Sequence, residues 1–135
     1  MRLRLEDFAG DWALSRRIED RQGDLSGTLD GTARLVPEGA GLRYAETGTL
    51  VLDRGGAFAA TRAYLWQRAE GGIAVLFDDG RPFHRFDPEG APRGTDHLCG
   101  ADLYRVAYDF TRWPDWSARF DVAGPRKDYT LTSRY

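Results

Sequence analysis

The sequence predicts an all-β protein, a closed or nearly closed antiparallel up-and-down barrel of about 8–10 strands with a short N-terminal helical turn. Three observations carry this. Apolar residues recur at period two through most of the chain. Turn signals built from Gly, Pro and Asp separate about ten such runs, and no stretch keeps a helical period over a useful length. Tight turns favour pairing of each strand with the next, and a meander of this many strands hides its edges most simply by closing on itself.

The elements follow in order. Residues 1–8 suit one helical turn, with Leu3, Leu5 and Phe8 on one side, as a lid or plug. A strand over 12–20 sets Trp12, Leu14, Arg16 and Ile18 against Ala13, Ser15, Arg17 and Glu19. A second strand over 27–36 is interrupted by Asp30-Gly31, which predicts a bulge or an edge position. A third over 42–52 carries Leu42, Tyr44, Glu46, Gly48 and Leu50 on one face. Residues 58–86 form the centre of the pattern: two long strands joined at Gly71-Gly72, a turn at Asp79-Gly80, and a third strand. Here Arg62, Tyr64 and Trp66 share one face, and His84 shares another with Phe86. The DPEGAPRG run at 87–94 reads as a rim loop. Strands then follow over 95–99, over 102–112 with Tyr104, Val106, Tyr108 and Phe110 alternating, and over 116–122, before a last one ending at Tyr135.

Length and composition narrow the function classes. The 135 residues make one domain, 1–135. A net charge of −2 and a pI near 5.7 disfavour nucleic acid and anionic membranes as partners. Basic residues are almost wholly arginine, with Lys127 the one lysine, so single arginines are discounted as site markers. Cys99 stands alone, which excludes an internal disulfide, and no Cys/His cluster has zinc spacing, so no metal is expected. No apolar run reaches the roughly 20 residues that span a bilayer, and none suits a signal peptide, so a soluble, cytoplasmic protein is expected.

The motifs Phe8-x-Gly-x-Trp12, Tyr44-Ala-Glu46-Thr-Gly48, Arg62-Ala-Tyr64-Leu-Trp66, Asp79-Gly-Arg-Pro-Phe-His84, His97-x-Cys99-x-x-Asp102-x-Tyr104 and Gly124-Pro-Arg-Lys-Asp-Tyr129 span nearly the whole chain. As a set they resemble a family of small bacterial and fungal proteins known as a domain of unknown function, within the calycin class of lipocalins and fatty-acid-binding proteins. The resemblance implies a lipocalin-like barrel and supplies no activity. It also implies that Trp12 plugs the closed end, covered by a basic side chain such as Arg134 or Arg126. Nitrobindin-type barrels, similar in shape, hold haem through a late histidine. This chain has Tyr129 and Tyr135 in that region and no histidine after His97, so haem is not supported and no cofactor is expected.

The expected site residues are Tyr44, Glu46, Arg62, Tyr64, Trp66, His84, His97 and Tyr104, all on faces that converge if the large side chains point inward. Glu46 on an apolar face needs a partner, and Arg62 on the next strand is the obvious one; alternatively Arg62 grips a ligand carboxylate or phosphate. His84 suits a pocket-wall hydrogen bond or general base, or a histidine satisfied by a rim carbonyl. His97 and Cys99 share a face, with packing the plainer account of Cys99. Lys127 is either an exposed strand-end lysine or a buried one with a lowered pKa. The leading expectation is binding of a small, partly apolar, anionic molecule inside the barrel. Two alternatives stand beside it: an enzyme using the same pocket for acid–base chemistry of an isomerase or cyclase kind, with His84 and Glu46 as proton carriers, and a protein-interaction module with a filled barrel. Exposure of both Trp113 and Trp116 would mark a homodimer contact.

Overall fold

The computed structural model describes residues 2–89 and 93–135. After a 3₁₀ turn at Leu5–Phe8, ten antiparallel strands follow: β1 (Gly10–Asp20), β2 (Gly27–Glu38), β3 (Gly41–Leu52), β4 (Ala57–Ala69), β5 (Gly72–Phe77), β6 (Pro82–Phe86), β7 (His97–Cys99), β8 (Asp102–Asp109), β9 (Ser117–Gly124) and β10 (Lys127–Arg134). Every strand pairs with its sequence neighbour wherever the chain makes a hairpin, and β1 also pairs with β10. The meander therefore curls round until only β6 and β7 are left as edges. Residues 93–95 cross that gap: Thr95 N–H donates to the Arg85 carbonyl at 2.9 Å, and Gly94 N–H donates to that of Val106 at 2.7 Å. The result is a nearly closed barrel, whose remaining edges are short and covered. The expected rim loop at 87–94 lies partly outside the described residues.

Alternation places the large side chains inside, as the sequence predicts. Two details differ. The Asp30-Gly31 interruption is neither a bulge nor an edge, because β2 keeps an unbroken register with β1 and β3 from end to end. Gly31 instead sits opposite Gly48, where a Cβ would come within 2.0 Å of the Thr47 carbonyl oxygen, so the glycine permits close approach of two backbones. A register shift occurs instead between Val75 and Leu76: Val75 faces His84 while Leu76 faces Pro82. The extra residue, Phe83, is buried next to His84, so two consecutive side chains enter the interior at this point.

One end of the barrel is sealed. Phe8, wholly buried, meets the rings of Trp66, Phe86, Phe110, Trp113 and Trp116 edge-on at 5.0–6.4 Å, the geometry that aromatic quadrupoles favour. Trp12 belongs to this plug as expected, donating from Nε1 to the Phe8 carbonyl at 2.9 Å. Its cover is Trp113 and Trp116, not an arginine; the cation–π contact among the described residues is Arg81 over Phe77. Trp113 and Trp116 are therefore half-buried and buried, so the condition for a homodimer contact at this turn, exposure of both, is not met. No helix among the described residues is long and apolar enough to cross a membrane.

Candidate functional site: a polar interior beneath an aromatic mouth

Above the plug the interior turns polar. Arg16, inward-facing on β1 with Leu14 as its apolar neighbour, donates from its two terminal nitrogens to both oxygens of Glu46 at 2.6 and 2.9 Å, and from Nε to Ser133 Oγ at 2.6 Å. Tyr44 donates to the same carboxylate at 2.6 Å and shares a hydrogen bond of 2.8 Å with the Tyr135 hydroxyl. The expected Arg62–Glu46 pair is replaced: the two residues face each other across β3 and β4, but Arg62 is exposed and the buried partner is Arg16. A buried guanidinium needs that carboxylate more than an exposed one does. Burial pushes the Glu46 carboxyl up, yet the hydrogen bonds and charge of Arg16 outweigh it and hold Glu46 below its ordinary value. Burial also drives the Tyr44 hydroxyl well up.

His84 faces this network from β6. Its Nε2 lies 2.7 Å from the Tyr108 hydroxyl, while Nδ1 has no partner. Burial, with a smaller contribution from the charge of His97, pushes its pKa down to about 3, so the imidazole is neutral at neutral pH. A carboxylate held low by an arginine and an imidazole held low by burial titrate on the acid side of neutrality. That is a poor match to proton carriers working near pH 7. Between the two clusters lies a chamber of about 20 Å³, whose walls include Arg16, Glu46, Tyr64, His84, Tyr108 and Trp116. It is room for one water-sized group and not for a ligand of many atoms.

The open end is different. Here a bowl of about 330 Å³ is walled by Arg62, Tyr64, Phe77, Phe83, Tyr104 and Tyr129, among others, with Arg81 and Asp79 on its rim. Arg81 is taken by Asp79 at 2.7 Å. Arg62 has no carboxylate within ion-pair distance among the described residues; its charge acts on Tyr64, whose hydroxyl burial raises while Arg62 opposes. Burial, and after it Tyr104, raises the Tyr129 hydroxyl to about 12, so it is un-ionised. Arg62, Tyr64 and Phe120 line both the bowl and the chamber and form the partition between them. A wider hollow of about 900 Å³ lies outside the barrel beside residues 2–6, but Arg2 is paired with Glu89 there and Glu6 with Arg68.

The expected site residues thus divide among three levels. Trp66 is in the plug; Tyr44, Glu46 and His84 are in the sealed network; Arg62, Tyr64 and Tyr104 are at the mouth, with half-buried His97 packed against Phe77, Phe83 and Tyr104. Cys99 is exposed, not packed, and no metal-holding group of three or more His, Cys, Asp or Glu occurs among the described residues. Lys127 is an exposed lysine paired with Asp102 at 3.2 Å, which raises its pKa and does not lower it. Absent from the expected set are Arg16, Ser133 and Tyr135 in the network and Phe77, Phe83 and Tyr129 at the mouth. Arg16 had a signal, a charge in phase with Trp12, Leu14 and Ile18, which the general arginine bias obscures.

A family model described as a family of unknown function, DUF6314, matches residues 8–135. The chain belongs to this family. The match begins at Phe8, the centre of the plug, and runs to Tyr135, the last member of the buried network, so the DUF6314 match takes in all three levels of the barrel. A search of curated proteins gave no match.

Proposed function

We propose that this DUF6314 barrel is a lipocalin-like binding protein that takes a small, partly apolar, anionic molecule at its open mouth, with the anionic group on Arg62 and the apolar part among Tyr64, Phe77, Phe83, Tyr104 and Tyr129. The observation that carries this is the pairing state of Arg62. It is a cation in an aromatic bowl beside the Tyr64 hydroxyl and with no ion-pair partner among the described residues, whereas the inner Arg16 and the rim Arg81 are each matched to a carboxylate. A guanidinium in that position offers a two-point contact to a carboxylate or phosphate, and the bowl's volume falls at the lower end of the range of small-molecule sites. The binding site is thus the mouth and not the deep interior, which is filled by its own side chains.

The test is titration calorimetry with benzoate, octanoate and phenyl phosphate on the wild type and on Arg62→Gln. At least one anion binds the wild type, and Arg62→Gln weakens it by tenfold or more, as expected for loss of a charge-assisted contact of about 1.5–3 kcal/mol. Equal affinity in both proteins, or no binding by any of the three, removes this reading.

A further inference from the structure

Among the described residues, two buried side-chain polar atoms have no hydrogen-bond partner, His84 Nδ1 and Trp116 Nε1. One comes from β6 and the other from the residue just before β9, yet both residues line the same 20 Å³ chamber, and both rings lie against that of Tyr108, at centroid distances of 5.7 and 6.5 Å. Phe83, Phe86 and Phe120 surround His84; Phe8, Trp12, Trp66 and Phe110 surround Trp116, with Tyr135 stacked on it at 3.9 Å and the Tyr135 hydroxyl engaged by Tyr44. Each unpaired polar atom enclosed by aromatic carbon forfeits the hydrogen bond it made to water in the unfolded chain. One shared partner removes both costs.

We propose that the chamber is a binding site for a single uncharged oxygen, which accepts a hydrogen bond from Trp116 Nε1 and pairs with His84 Nδ1. The indole nitrogen is donor only, so the occupant must be an acceptor there. The imidazole nitrogen donates or accepts according to which proton the His84–Tyr108 hydrogen bond uses, so the occupant needs a lone pair and, for one tautomer, a proton. A hydroxyl group or water supplies both. A neutral occupant suits the walls: Arg16 and Glu46 already neutralise each other, and Arg62, which also borders the chamber, is exposed and hydrated, so an ion moved inside would lose its water without a buried counter-charge to replace it. Size agrees, since about 10–15 Å³ of such volume admits one water.

The oxygen has two sources, solvent or the terminal hydroxyl of a molecule seated in the mouth, because the two spaces are neighbours that share Arg62, Tyr64 and Phe120 as walls. A crystal structure at a resolution that shows ordered water decides the site, and a second crystal soaked in 4-hydroxybenzoate decides the source. The expected result is one non-protein oxygen within about 2.7–3.2 Å of both Trp116 Nε1 and His84 Nδ1. Density isolated in both crystals assigns it to solvent; density continuous with the soaked molecule assigns it to a ligand hydroxyl. In Trp116→Phe the oxygen is lost while the His84–Tyr108 hydrogen bond persists. A wild-type chamber with no oxygen bridging the two nitrogens overturns the proposal, and does so whether or not an anion binds at Arg62.

Discussion

The guanidinium of Arg16 and the carboxylate of Glu46 meet through two hydrogen bonds at the centre of the barrel, with 6% and 4% of the two residues exposed. Each member compensates a burial that the other could not survive alone. Removing one partner, as in Glu46→Leu or Arg16→Met, is expected to destabilise the protein by about 3–5 kcal/mol, and the double substitution is expected to recover much of that loss. Urea denaturation of the four proteins measures it; additive losses would show that the two groups do not depend on each other.

Acid should weaken the fold through two groups acting in the same sense. Glu46 is held below its ordinary value of 4.5, so its contribution is present above that pH and is lost as pH falls through the folded value. His84 falls from 6.5 to about 3 through burial, aided by His97, so between those limits the unfolded chain binds the proton and the folded one does not. Stability should therefore decline steadily from pH 6.5 toward pH 3. Replacing His84 by Gln should flatten that decline, read as Tm against pH; parallel curves for the two proteins would show that His84 does not titrate as its burial requires.

The plug and the mouth should separate in their effects. Phe8→Ala removes a wholly buried ring that touches five others, and a loss of about 3–5 kcal/mol is expected. Anion affinity at the mouth of the remaining folded protein should change less than twofold, since Phe8 does not border the bowl. Calorimetry below the transition temperature checks this, and a large loss of affinity would mean the two ends are coupled.

Gly31→Ala tests the close approach of β2 to β3. The added carbon would meet the Thr47 carbonyl oxygen and the Gly48 Cα, both backbone, and neither can rotate away as a side chain would. The strand pair must shift, at about 1–3 kcal/mol or more. A variant as stable as wild type in urea would place the glycine's value elsewhere.

The barrel was legible in the sequence because its signals are local. Period-two alternation tells which residues point inward, and turn chemistry such as Gly71-Gly72 and Asp79-Gly80 tells where strands reverse; both belong to stretches of a few residues. The inward direction of Tyr44, Glu46, Tyr64, Trp66 and His84 followed from parity alone. The Phe83 bulge escaped because a register shift is a property of two strands together, and one extra residue leaves no mark in the alternation of either.

What the chain's own order determined, then, is the set of side chains offered to the interior. Which of them meet was decided by curvature and closure. Glu46 faces Arg62 across a single ladder, yet it is Arg16, two strands away, that reaches it, because closing the sheet brings β1 and β3 across the lumen and leaves Arg62 at the solvent edge. The same closure packs the lumen down to a chamber of about 20 Å³ and leaves a bowl of about 330 Å³ at the mouth. Ring volumes add up in three dimensions, and no pattern along one strand records how much space they leave.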